Sequence, residues 1–313
     1  MFMFENRITI EERPILEEYL SGFDYGTSGL SFTSLFMWRN INNFSWEIIG
    51  DYLCIAGLSH LEIETKEPFL FPPLTRTGSY ESESLNATIK AAKKIFESKG
   101  CKFSIRLMPF KMMGILESAF PGEISFSDDR PNYDYLYRKK DLILLKGREY
   151  HSKKNHLNYF LNNYQFEYIT LTSDMAENAM RFIREFNDRK KDLSDHEMSL
   201  LKMEEVAMSD VFSNLEKVGY LSAAVKIDGK IEALSIGGQL NRKTVTVHIE
   251  KANTAYRGLY QLINNEFCKH VEPHIKYINR EEDMGIPGLR KAKLSYKPCK
   301  LVECYIAEFK EDL

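Results

Sequence analysis

The chain has 313 residues, with 42 Lys+Arg against 45 Asp+Glu for a net charge of −3, and is 43% hydrophobic and 12% aromatic. That length suits two domains of roughly 150 residues or one large one, and the composition excludes a disordered or collagen-like chain. Apolar runs stop well short of the roughly 20 residues of a membrane span, residues 1–10 lack the pattern of a secretory signal, and a charge near zero argues against a dedicated DNA binder while leaving room for a local basic patch.

In chain order, residues 11–20 (EERPILEEYL) predict a helix from apolar residues at helical spacing behind an acidic start. Residues 30–38 (LSFTSLFMW) read as a buried helix or short apolar segment. Segments 45–49 and 52–56 flank a Gly50-Asp51 turn and predict a hairpin. A helix over 84–98 opens on Ser84 and stops before Gly100, and is followed by a strand over 102–107, a helix over 109–118 and a strand over 132–138. The second half begins with a strand over 142–145 and helices over 156–164, 174–188 and 199–216. A hairpin over 220–239 turns at Asp228-Gly229, and a second turn leads to 244–249 (TVTVHI), the most β-branched run. A helix over 258–271, a strand over 276–279, a helical turn over 287–294 and a strand over 301–309 complete the chain.

Each half thus carries a hairpin or meander followed by helix, strand, helix and strand. The expectation is an α+β (mixed α/β) chain of two tandem domains, 1–140 and 141–313. Each would hold a mixed, mainly antiparallel sheet flanked by helices. A three-strand meander running directly into a helix is the layout of the GNAT acyltransferase fold.

The familiar dinucleotide, P-loop, zinc-protease and hydrolase motifs are absent from the sequence. Pro273 interrupts the closest histidine pair, His270 and His274, so no metal site is expected. Five widely spaced cysteines, Cys54, Cys101, Cys268, Cys299 and Cys304, read as reduced thiols of a cytoplasmic protein.

Three stretches could carry chemistry. Residues 249–261 (IEKANTAYRGLYQ) form a strand-to-helix junction, where free N–H groups at the helix start and a glycine admit a phosphate. Acetyltransferases place the coenzyme A pyrophosphate there on a [QR]xxGx[GA] loop. This chain has Arg257, Gly258 and Leu259, then Tyr260 in place of the last small residue. A glycine needed only for close packing is the alternative.

Residues 277–298 bring Arg280, Glu281, Glu282 and Asp283 up to the breakers Gly285, Pro287 and Gly288. Arg290, Lys291, Lys293 and Lys297 follow, with no acid from 286 to 300. Facing acids and bases suit a ligand with an amine at one end and a phosphate at the other, or an internal ion-pair network. Residues 138–156 hold seven Lys/Arg against two acids, a local charge of +5, with Tyr150 and His151 among them.

KKNHLNYF (153–160), EKANTAYRGLYQLIN (250–264), YINREEDMGIPGLRKAKLSYKP (277–298) and residues 34–38 resemble a bacterial family related to the C-terminal domain of phosphatidylglycerol lysyltransferase. The resemblance covers nearly the whole chain. It implies two tandem GNAT-like domains, as in the Fem-type peptidoglycan aminoacyltransferases. Those enzymes move an aminoacyl group from aminoacyl-tRNA to a lipid or peptide amine or hydroxyl.

The expected function is therefore aminoacyl transfer from an activated donor, aminoacyl-tRNA or acyl-coenzyme A, to an amine or hydroxyl. Such a protein needs no separate cofactor, metal or DNA partner. Glu250 and Asp283 are the candidate catalytic carboxylates, taking or orienting the acceptor proton. Lys153, Lys154, Asn155, Asn253, Arg257, Gly258, Arg280, Glu281, Arg290, Lys293 and Tyr296 are the candidate donor- and substrate-binding residues. The rival reading is a non-catalytic GNAT scaffold that senses an acylated or phosphorylated ligand, a reading that Tyr260 favours.

Overall fold

The computed structural model describes residues 1–59, 67–191 and 194–312. They fall into two compact units, and a single cut near residue 140 does not separate them. The first unit is Met1–Asp134 with Glu282–Ile286 and the C-terminal residues from Val302, and the second is Tyr135–Glu281 with Pro287–Leu301.

The first unit opens with β1 (Asn6–Arg7), α1 (Arg13–Leu20), α2 (Phe32–Trp38), β2 (Ser45–Ile49), β3 (Tyr52–Leu58) and β4 (Pro68–Leu70). It continues with α3 (Ser82–Ser98), β5 (Ile105–Pro109), α4 (Phe110–Ala119) and β6 (Ile124–Asp128). Helix α3 starts earlier than the sequence suggested. Its cap is Glu81, whose carboxylate accepts from the backbone N–H of Glu83 and Ser84 at 3.2 and 2.7 Å.

The second unit starts on β7 (Asp134–Arg138), α5 (Lys139–Leu144), α6 (His151–Asn163) and β8 (Glu167–Ile169). Then come α7 (Ala176–Asp188), α8 (Asp195–Ser213), α9 (Leu215–Val218) and the meander β9 (Leu221–Ile227), β10 (Lys230–Asn241) and β11 (Thr244–Ala252). Finally α10 (Leu259–His270), β12 (Tyr277–Asn279), α11 (Pro287–Leu294) and β13 (Lys300–Val302) precede the last strand, β14 (Cys304–Phe309). The two sheets run β1-β2-β3-β4-β5-β14-β6 and β13-β7-β12-β11-β10-β9-β8.

Two segments differ from their predicted form. Residues 142–145 are the end of α5 rather than a strand. Leu142 is fully buried, and Leu145 closes the helix in the left-handed region at φ 44°. A short apolar run without alternation carries no period by which to tell the two forms apart. The strand over 301–309 is two strands parted at Glu303, one in each sheet.

In the second unit the meander turns tightly because Asp228 and Gly229 both take positive φ, 50° and 78°. Helix α8 is started by a capping box in which Ser194 Oγ accepts from Glu197 N–H and the Glu197 carboxylate accepts from Ser194 N–H. One core joins β7, α5, α6, the meander and α10, with Tyr137, Phe160, Leu262, Ile263 and Ile278 at its centre.

Gly258 sets how closely α10 approaches α6. It takes φ +95°, and a Cβ there would lie 2.1 Å from the His156 carbonyl oxygen and 3.0 Å from Phe160 Cβ. Gly258→Ala combines left-handed strain with a backbone clash and is expected to cost about 2–4 kcal/mol, read from the midpoint of urea unfolding. An unchanged midpoint would show that the packing tolerates a side chain here.

Candidate functional site

In the second unit β11 and β12 run parallel over only three pairs, Thr244↔Tyr277, Val245↔Ile278 and Thr246↔Asn279. After Asn279 the chain stays with β7. Arg280 N–H donates to the Tyr135 carbonyl at 2.9 Å, and Tyr135 N–H donates to the Glu281 carbonyl at 3.2 Å. Strand β11 meanwhile continues to Ala252, so the two strands part.

A bulge sits where they part. Against β10, β11 pairs Ile249 with Ile236 and then Val247 with Gly237, which leaves His248 as the extra residue. A bulge bends its strand and exchanges the faces on which later side chains stand. Val245 and Val247 join the core beneath α10 before it, and Ala252 joins the same core after it. Glu250 therefore also faces α10 (without the bulge it would face the opposite side). On that opposite face Lys251 pairs with Glu204 of α8 at 2.6 Å.

The Glu250 carboxylate is held by two donors. Oε1 accepts from Arg280 Nη2 at 2.8 Å and Oε2 from Asn264 Nδ2 of α10 at 2.9 Å. The Arg280 guanidinium stands 4.9 Å from the ring centre of Tyr296 and 5.8 Å from that of Tyr137. Burial works against its charge, and Glu250 more than restores it, so the guanidinium is held above its ordinary value.

Arg280 Nη1 is buried and makes no hydrogen bond among the described residues. Such a donor costs about 1–3 kcal/mol, which a ligand oxygen would recover. Ser235 stands opposite Glu250 on β10, and its buried hydroxyl likewise has no partner among the described residues.

Three further residues close around this pair. Lys153 Nζ of α6 lies 4.4 Å from the Tyr296 ring centre, and burial followed by the Arg280 charge lowers its pKa. Lys293 of α11 donates to the Arg280 carbonyl. Burial pushes the Tyr296 hydroxyl up to about 12, while Tyr150 donates to the Tyr296 carbonyl and Tyr137 to the Lys293 carbonyl. His248 Nδ1 lies 2.7 Å from Glu281 Oε1, which ties the bulge to the residue that leaves β12 at φ 56°.

Of the candidates from sequence, Glu250, Arg280, Glu281, Lys153, Lys293 and Tyr296 are brought together here. The others have different surroundings. Lys154 and Asn155 are exposed on α6, and Asn155 meets His151. Asn253 holds its own loop, donating to Glu232 Oε2 at 2.7 Å and accepting from Ala255 N–H at 3.1 Å. Arg257 lies over Tyr159 beside His156, and Gly258 packs on α6. Arg290 is half-buried on α11.

Asp283 falls in the first unit, apart from the unit that holds Glu250. Its fully buried carboxylate accepts from Arg130 Nη1 at 3.1 Å and Gly285 N–H at 2.9 Å, the bonding of a residue that closes a turn. Asn264, Ser235, Tyr137 and His248 escaped the sequence reading. Nothing in their spacing marks them: the bulge at His248 brings Glu250 to Asn264, and Tyr137 reaches the site from β7.

Among the described residues there is no group of three or more His, Cys, Asp or Glu able to hold a metal ion. No helix among them is long and apolar enough to cross a membrane.

Similar proteins fit this picture. A conserved protein of unknown function from Bacteroides thetaiotaomicron is 29% identical, with TM-score 0.85 over 99% of this chain and 100% of that one. The L-PGS of Bacillus licheniformis has TM-score 0.65 at 14% identity, covering 97% of this chain and 93% of that one. A tandem GNAT protein from the clavulanic acid biosynthesis pathway has TM-score 0.51 at 7% identity, with 97% of each chain covered. The latter two likenesses establish the fold, two GNAT-like mixed sheets flanked by helices, as the element order suggested. An uncharacterized protein of Mycoplasmoides gallisepticum is 24% identical over 179 residues, so the chain spans about half the length of that curated relative, 56%. Residues 22–308 match the family described as phosphatidylglycerol lysyltransferase, C-terminal, and the chain belongs to that family.

Proposed function

We propose that the protein is a GNAT-like acyltransferase that moves an aminoacyl group from an activated ester to an amine or hydroxyl acceptor. The Arg280–Glu250 pair where β11 and β12 part would be its reacting centre. The observation that carries this reading is the buried, unpartnered Arg280 Nη1 beside a carboxylate at the parted strands. The family is named for lysyl transfer to phosphatidylglycerol, which supports the same reaction class.

In this reading the acceptor nitrogen or oxygen attacks the donor carbonyl carbon. Glu250 takes the proton that the nucleophile loses. Arg280 Nη1 donates to the carbonyl oxygen as negative charge gathers there, and its pairing with Glu250 fixes the direction in which it points. The carbon–oxygen bond to the donor then breaks, and the released hydroxyl receives the proton from Glu250. Holding the two substrates together supplies much of the remaining acceleration. Lys153 forms an ion pair with a phosphate of the bound donor.

Two features favour aminoacyl-tRNA over acyl-coenzyme A. The first turn of α10 is closed against α6 at Gly258, and Tyr260 is buried enough to push its hydroxyl up to about 12. Both occupy the region where a coenzyme A pyrophosphate would enter.

Arg280→Lys keeps a cation for Glu250 but removes the second donor. Transfer of label from lysyl-tRNA to hydroxylamine is expected to fall about 10²–10³-fold, with folding retained by circular dichroism. Wild-type rates in this variant, or no transfer from lysyl-tRNA or acetyl-coenzyme A by the native protein, would overturn the reading. The latter result would favour a binding module.

Lys153 gives a pH signature. Burial and Arg280 lower its folded value from 10.5, so between that lowered value and 10.5 the unfolded chain holds more protons and stability rises with pH. Lys153→Met should flatten this rise in urea unfolding measured across the window. A slope shared by wild type and variant would show that Lys153 is fully solvated.

A further inference from the structure

Among the described residues the two sheets have four edges, and three of them are short. Strand β1 has two residues, and β8 and β13 have three each. The fourth edge, β6 of the first unit, has five residues and pairs with β14 from Tyr305↔Asp128 to Phe309↔Ile124 without a bulge. Proteins blunt exposed edges with short strands, bulges, prolines or lysines. Strand β6, with the sequence ISFSD, uses none of these devices.

The hydrogen bonds at its two ends fix which backbone groups point outward. Asp129 N–H donates to the Cys304 carbonyl at 3.0 Å, and Lys310 N–H donates to the Glu123 carbonyl at 2.9 Å. Alternate residues in phase with Glu123 and Asp129 therefore face β14, and the N–H and C=O groups of Ile124, Phe126 and Asp128 face away. Among the described residues no other strand takes them. The side chains of these three stand on one face with those of Tyr305, Ala307 and Phe309. That face opens along the strand, since Ile124 is buried, Phe126 half-buried and Asp128 exposed. Phe110 of α4 is 62% exposed, and its ring centre lies 6.0 Å from that of Tyr305.

The open end is acidic. Asp128 and Glu303 are exposed, and their carboxylates accept from the hydroxyls of Tyr133 and Tyr305. Neighbouring cations are committed, Arg130 to Asp283 at 3.1 Å and Arg106 to Glu67 at 3.3 Å. A second copy of the chain is a poor occupant. Two-fold pairing about Phe126 would set Glu123 against Asp129, and β6 brings no lysine or arginine to Asp128. We propose that β6 docks an extended segment of another protein, which adds a strand to the sheet. The segment sets an apolar residue beside Phe126 and a lysine or arginine, two positions along, beside Asp128. This docking is separate from acyl transfer, whose residues lie in the second unit.

The test is fluorescence anisotropy of the full chain with the labelled peptide Thr-Val-Thr-Phe-Thr-Lys-Thr. One control peptide carries glutamate in place of lysine, and another is N-methylated at the valine, phenylalanine and lysine nitrogens. The lysine peptide should bind about tenfold more tightly than the glutamate peptide, because an attraction at Asp128 becomes a repulsion. N-methylation should abolish binding, because it removes the donors that reach β6. Asp128→Lys should invert the preference between the charged peptides, which a loss of folding does not produce. Phe126→Thr should weaken both peptides about fivefold. Equal binding of the two charged peptides, undiminished binding of the N-methylated one, or an unchanged preference in Asp128→Lys overturns the proposal. A dimer in sedimentation velocity that the lysine peptide dissociates also overturns it and makes β6 a self-pairing edge.

Discussion

Where His248 interrupts the pairing of β10 and β11, one unmatched residue turns the rest of β11 by half a period. Everything chemical in the second unit follows from that displacement. It carries Glu250 from the face of Lys251 and Glu204 to the face of α10, where Asn264 and Arg280 receive it. The same bend takes β11 away from β12, so Arg280 can occupy the space at which a longer β12 would have continued the sheet. The His248–Glu281 contact joins both consequences, because it binds the bulged residue to the left-handed turn that ends β12.

A buried ion pair of this kind is a poor source of stability, since desolvating two charges offsets most of their attraction. Removing one partner, by contrast, strands the other in a medium of low dielectric constant. Arg280 and Glu250 therefore hold each other in place more than they hold the fold together. The aromatic rings of Tyr137 and Tyr296 flank the guanidinium without competing for its hydrogens. Such a site is oriented before any ligand arrives, which is what stabilising a developing charge requires.

Much of this was legible in the residues. The Asp228-Gly229 turn, the β-branched run over 244–249 and the helix after Gly258 all announce themselves through local chemistry. Arg280, Lys293 and Tyr296 stand in the 277–298 block, whose mixed charges a plain core does not require, and Glu250 in the strand-to-helix junction over 249–261. What escaped notice depended on register. Asn264 is one of two adjacent buried asparagines in α10, and only the bulge reveals that it meets Glu250. Asp283 belongs to the same acidic run as Glu281 in sequence, yet the chain changes units between Glu281 and Glu282. The 142–145 run failed for want of length, and 301–309 because one continuous apolar pattern serves two sheets.

The placement of β14 bears on synthesis. It pairs with β5 on one side and the edge strand β6 on the other, so it joins β6 to a sheet whose other strands all come much earlier in the chain. During translation β5 and β6 each emerge with an unfilled edge and keep it until residues 304–309 are made. The second unit, whose strands all precede β14, can close first. The first unit is thus the later of the two to be finished, and its two waiting strands must be shielded from other chains until β14 emerges.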